Sequence, residues 1–147
     1  MNPARGAEKA YFGRRYQISA SHRLHVDALT PEENRAAYGK CNNPHGHGHN
    51  YTIEVVVGGA VNAETGMVID LVELDRVVNE QVTERFDHRN LNLDPAFEHR
   101  VPTTENFSLV LVEILGSALS EGVLEHVRIE ETENNSFECH NAPTGPD

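Results

Sequence analysis

Alternation of apolar and polar positions marks the first third of the chain. From Tyr11 to Leu24, Tyr16, Ile18, Ala20 and His22 fall on one face, and Gln17, Ser19 and Ser21 on the other, which predicts a strand with one buried face. A second strand is expected from about His47 to Val57, with Gly58-Gly59 and Glu64-Thr65-Gly66 breaking it. Met67 to Ile69 either continues that ladder or leads into the next element. Between the strands, Asp27 to Lys40 holds Pro31, Glu32, Glu33 and Gly39 and reads as a loop with a helical turn. The period then changes to that of a helix. Asp70 followed by Glu73 resembles a capping box, and Leu71, Leu74, Val78, Val82 and Arg85 or Phe86 form one apolar stripe. A polar stretch from Phe86 to Asn92 leaves that helix. A second helix is predicted after Pro102, capped by Thr103 or Thr104, with Glu105 in its first turn. Its core face is Phe107, Val110, Leu111, Ile114, Leu115 and Ala118. Two closing strands, Glu125 to Glu131 and Ser136 to Cys139, flank Asn134-Asn135.

The order ββααββ predicts an α+β fold, an antiparallel sheet with two helices on one face. At 147 residues the chain is expected to be a single domain, 1–147, with an ordered core over about 10–140 and poorly ordered ends. The outer strands of so thin a protein would be open edges, and joining subunits edge to edge into a ring would cover them.

Composition changes the picture in three ways. A net charge of −11 argues against nonspecific binding to nucleic acid or anionic membranes. No apolar run approaches a membrane span, and Met1 to Lys9 lacks a signal-peptide core. With only Cys41 and Cys139, reduced thiols and a cytoplasmic location are expected.

Nine histidines are present, five of them between His22 and His49. On a strand, His47 and His49 project two imidazoles to one side, a ready pair of zinc ligands. His22 is the favoured third ligand, with His25 as its rival; His45 shares the alternate spacing, so His45/His47 is the competing pair. Three neutral imidazoles leave one zinc position open, as catalytic sites do. Cys41, beside Lys40, is a candidate nucleophile or base whose thiol a nearby cation would acidify, or else an ordinary loop cysteine. Asp87-His88 offers a carboxylate beside an imidazole. Glu131, on the apolar face with Val127 and Ile129, could accept hydrogen bonds from an N–H-rich heterocycle or lie at a solvated strand end.

These segments resemble the 6-pyruvoyl-tetrahydropterin synthases and the related 6-carboxytetrahydropterin synthases. The resemblance runs from about Tyr16 to Cys139. It is carried by Ser19 to His25, Glu33-Asn34, Gly39 to Tyr51, Thr65 to Val68, Asp87 to Leu91, Thr103 to Asn106 and Glu131 to Asn135. It implies the tunnelling fold, with ββααββ subunits closing into a barrel, usually a homohexamer made of two trimers with active sites between subunits. It implies Zn2+ on His22, His47 and His49, and a catalytic group of Cys41, Asp87 and His88. Glu131 matches the glutamate that anchors the pterin, and Thr103, Thr104 and Glu105 match the surrounding pocket segment. The implied reaction is conversion of 7,8-dihydroneopterin triphosphate to 6-pyruvoyl-tetrahydropterin, in tetrahydrobiopterin biosynthesis. The alternative outcome is 6-carboxytetrahydropterin, a queuosine precursor, with release of acetaldehyde and triphosphate. Family members of the biopterin type place five residues between the cysteine and the zinc His-Gly-His, and those of the queuosine type three. Here Cys41 to His47 gives the longer spacing and Cys41 to His45 the shorter; Lys40-Cys41-Asn42-Asn43-Pro44 favours the pyruvoyl-forming type. Arg23, Lys40 and Arg89 are the candidate triphosphate-binding cations.

Overall fold

A computed structural model of the chain describes residues 8–142. Two long strands, β1 (Lys9–His22) and β2 (His47–Ala60), pair antiparallel along their whole length, from Lys9↔Ala60 to His22↔His47. β4 (Leu124–Glu130) pairs with β2, and β5 (Ser136–His140) with β4. A two-residue strand, β3 (Arg89–Asn90), runs parallel to β1 beside Ala20 and Ser21, giving the order β3-β1-β2-β4-β5. The sheet is therefore mixed rather than wholly antiparallel. The cause is local: His88 has φ +59° and donates its N–H to the Ser19 carbonyl at 2.6 Å, turning the chain alongside β1.

β1 presents Ile18, Ala20 and His22 to the interior, and β2 presents Tyr51, Ile53, Val55 and Val57. Helix α2 (Leu71–Val78) begins where Asp70 accepts the N–H groups of Val72 and Glu73. Only half of the expected capping box forms, since Glu73 turns to Arg76 instead. The helix passes through a π turn, Asn79–Thr83, into α3 (Glu84–Phe86). Its buried residues Leu74, Val78, Val82 and Phe86 repeat every four positions. An α-helix turns about 100° per residue, so such a stripe drifts; the wider π turn cancels the drift and keeps all four on the sheet.

Helix α4 (Thr104–Ala118), capped by Thr103, buries Phe107, Val110, Leu111 and Leu115 against the same sheet face. Ala118 is exposed, and Leu119 closes the core in its place. Two elements depart from the sequence reading in the loops. Pro31–Tyr38 is a helix, α1, in which Thr30 and Glu33 complete a capping box around Pro31 at the first position. β2 runs through Gly58-Gly59: a side chain at Gly58 would lie 2.8 Å from the Tyr11 ring, so glycine here permits close strand contact instead of a break. Met67 to Ile69 forms no strand. Lys9 and Ala10 already belong to β1, while the expected disorder of residues 1–7 and 143–147 falls outside the described residues. Among the described residues, no helix is long and apolar enough to cross a membrane.

Candidate metal centre and active site

The β1/β2 register determines the centre of the site. His22 lies opposite His47, and Ala20 opposite His49, so all three histidines project from one sheet face where the helical cover ends. Their ligand nitrogens lie within 4.8 Å of one another. His22 is 1% exposed; its Nδ1 sits 2.8 Å from the Pro102 carbonyl, which can only accept, so Nδ1 carries the proton and the Nε2 lone pair faces the group. His22 Nε2 is 3.0 Å from His47 Nε2. His47 Nδ1 and His49 Nε2 are buried without a hydrogen-bond partner. Burial holds both His22 and His47 below the ordinary imidazole value, with neighbouring histidines adding to the effect. Neutral, converging and under-bonded imidazoles fit a divalent transition ion.

The structure separates the competing histidines. His45 lies exposed in the turn before β2. His25 is taken up by Asn42, 2.9 Å from its Nδ1, and by Asp27, 3.4 Å from its Nε2.

Glu131 follows β4 by one residue and turns its carboxylate to the imidazoles, with Oε1 3.7 Å from His22 Nε2 and 3.2 Å from His49 Nε2, close enough for an ion pair but outside hydrogen-bond geometry. Cys41 sits in a single 3-10 turn, Gly39–Asn42, whose position depends on two buried asparagines. Asn34 binds the N–H and carbonyl of Val26, at 2.8 and 2.9 Å, and Asn42 donates to the Leu24 carbonyl at 2.7 Å. The Leu24 N–H in turn donates to the Cys41 carbonyl at 2.8 Å. Cys41, His47 and His49 line one cavity of about 820 Å³, together with Arg23, Arg35 and Lys40. In the metal-free chain, burial and the Glu131 carboxylate push the Cys41 thiol up.

Asp87 and His88 occupy a different place. Asp87 Oδ1 accepts the Ser19 N–H at 2.8 Å on the outer edge of β1. His88 is exposed, with Nε2 3.6 Å from Asp87 Oδ2. His88 lines a second recess of about 520 Å³ with Ser19, Ser21, His49 and Arg89. Among the described residues, no hydrogen bond or ion pair joins this pair to Cys41. Thr103 caps α4 through the Asn106 N–H, and Glu105 is exposed. Thr104 is buried beside Tyr51, whose ring packs 5.5 Å from that of His49.

Sequence reading missed Arg35, and it named Asn34 and Asn42 only as members of matching segments, without their role as a buried scaffold. Polarity within a loop does not distinguish a buried scaffold from a solvated one.

The Asp87-His88 segment is braced from behind. Arg85 grips Asp94 through two bonds of 2.9 and 2.7 Å, and these hold the Asp94 carboxyl below its ordinary value. Asp94→Asn is expected to cost about 1–2 kcal/mol by denaturant unfolding at pH 7. A depressed carboxyl contributes stability above its unfolded value of 3.8, lost as pH falls through the folded value. The difference between wild type and variant should therefore shrink in acid.

Residues 11–142 match the family described as 6-pyruvoyl tetrahydropterin synthase. The human protein named 6-pyruvoyl tetrahydrobiopterin synthase is 44% identical over 128 residues, covering 86% of this chain and 88% of that protein. Its Dictyostelium discoideum namesake is 45% identical over 123 residues, 83% of this chain and 89% of that one. The structure of Caenorhabditis elegans 6-pyruvoyl tetrahydropterin synthase superposes with a TM-score of 0.87 at 39% identity, over 92% of this chain and 98% of that chain. The family match runs over residues 11–142, nearly the whole described chain, and the chain belongs to the 6-pyruvoyl tetrahydropterin synthase family.

Proposed function

We propose that this chain is a zinc-dependent lyase that converts 7,8-dihydroneopterin triphosphate to 6-pyruvoyl-tetrahydropterin, eliminating triphosphate. The observation that carries the reading is the convergence of His22 with His47 and His49, the last two of which line the cavity that also holds Cys41. These histidines would hold the ion. When bound, zinc supplies Lewis acidity that lowers the pKa of C–H bonds beside the substrate's side-chain hydroxyls.

The protein's own groups do the rest. Cys41 takes and returns protons during an internal redox shift, in which the side chain is oxidised and the ring reduced, so no external hydride donor is needed. Glu131 accepts hydrogen bonds from the 2-amino and N3–H edge of the pterin, which determines which carbons face Cys41. Thr103, Thr104 and Glu105 border the ring. Arg23, Arg35 and Lys40, on the cavity wall, receive the triphosphate; Arg89, on the other recess, is the remaining candidate.

Asp87 and His88 complete the catalytic group from a neighbouring subunit. Their position on the outer edge of β1, apart from Cys41 of the same chain, supports a homohexamer of two trimers with shared sites and barrel-forming sheets. We place the enzyme in the cytoplasm, where Cys41 and Cys139 stay reduced.

The test is to incubate zinc-loaded protein with dihydroneopterin triphosphate and identify the products by mass. Triphosphate and 6-pyruvoyl-tetrahydropterin are expected. Acetaldehyde with 6-carboxytetrahydropterin would replace this reading by the queuosine-type reaction, and unchanged substrate would overturn both.

A further inference from the structure

The geometry points to a second divalent-metal site, built by His126, Glu138 and His140 on the sheet face opposite the first. In β4, Val127 and Ile129 point into the core, so His126 and Arg128 face away from the helices. The β4/β5 register sets His140 directly opposite His126, and Glu138, two residues earlier, projects on the same side.

The carboxylate reaches both rings. Its Oε1 is 3.4 Å from His126 Nε2, and its Oε2 is 2.8 Å from His140 Nε2. The imidazoles lie with centroids 4.8 Å apart, tilted by 34°. All three donor atoms fall within 4.8 Å of one another. Tetrahedral zinc with bonds of about 2.0–2.1 Å requires neighbouring donors about 3.3 Å apart, so small side-chain rotations suffice. Both histidines stand on paired strands, which keeps their backbones in register.

Two imidazoles and one carboxylate select zinc, nickel or copper(II) over magnesium or calcium, which prefer all-oxygen shells. His140 and Glu138 are open to solvent, and Arg128, opposite Glu138, is itself paired to Glu130 at 2.9 Å. A solvent-open site with a cation nearby binds more weakly than the buried His22 group and exchanges its ion readily.

The test is calorimetric titration of Zn2+ into protein already carrying one zinc per chain. One further, weaker equivalent is expected. The double variant His126→Asn/His140→Asn should weaken it at least fivefold while keeping the first zinc and turnover. Glu138→Gln should weaken it too, whereas His99→Asn, an exposed histidine elsewhere, should not. Circular dichroism of each variant establishes that it is folded. Absence of the second equivalent, a change smaller than fivefold in the double variant, or its loss in His99→Asn would overturn the assignment.

Discussion

Cys41→Ala should retain one metal ion per chain and lose about 10²–10⁴-fold in kcat, the usual contribution of a positioned proton-transfer group. The separation is expected because Cys41 shares the cavity of His47 and His49 but is not among the three groups that converge on the ion. Its thiol is raised by burial and by Glu131, so it rests protonated near neutral pH unless a countercharge draws the proton away. That makes it suited to give a proton as well as to take one, and it makes the partner imidazole important. His88 of another subunit is the partner proposed here, so His88→Ala should depress kcat in the same direction. Metal analysis beside single-turnover kinetics checks the first claim. Full activity in Cys41→Ala would remove the proton-transfer role, and loss of metal would make the cysteine a ligand.

How much of this was visible in the residues differs from element to element. The faces of β1 and β2 were legible because a period of two over many residues leaves one arrangement of buried side chains. The same alternation placed His22 beside Ile18 and Ala20, which is where it lies. The choice between His45 and His49 was not settled by spacing; it depended on where β2 begins. For Asp27 to Lys40 the pattern indicates only a loop with a helical turn, although proline at the first helical position, between Thr30 and Glu33, is a start signal for the full helix α1. The strand through Gly58-Gly59 and the parallel β3 depend on which partner strand lies alongside, which one chain's local pattern does not carry. The surroundings of the thiol were not legible for a related reason. Lys40 is adjacent in sequence, but what raises the Cys41 thiol in the metal-free chain is burial first and then Glu131, brought from the far end of the chain by β4.

His47→Ala should strip the ion and reduce turnover by about 10³-fold or more, since Lewis-acid stabilisation of several kcal/mol is lost with it. His22→Ala should do the same to metal and activity, yet the two should differ when the metal is chelated from both. His22 is buried and bonded to the Pro102 carbonyl, so its removal leaves that acceptor unpaired and should cost about 1–3 kcal/mol of apoprotein stability. His47 has a buried, unpartnered Nδ1, so its removal relieves one unsatisfied group while giving up the 3.0 Å contact with His22 Nε2, and should cost the apoprotein less than His22→Ala does. Acid gives an independent reading. Both imidazoles are held below 6.5 in the folded chain, so above that pH they are neutral in folded and unfolded states alike. As pH falls below 6.5 the unfolded chain takes up protons first, and apoprotein stability declines until the folded values are reached. Each alanine variant should flatten that decline in thermal unfolding followed from pH 7 downward. A slope unchanged in both variants would mean that the histidines are not held neutral by burial, and the case for a pre-formed metal centre would fail with it.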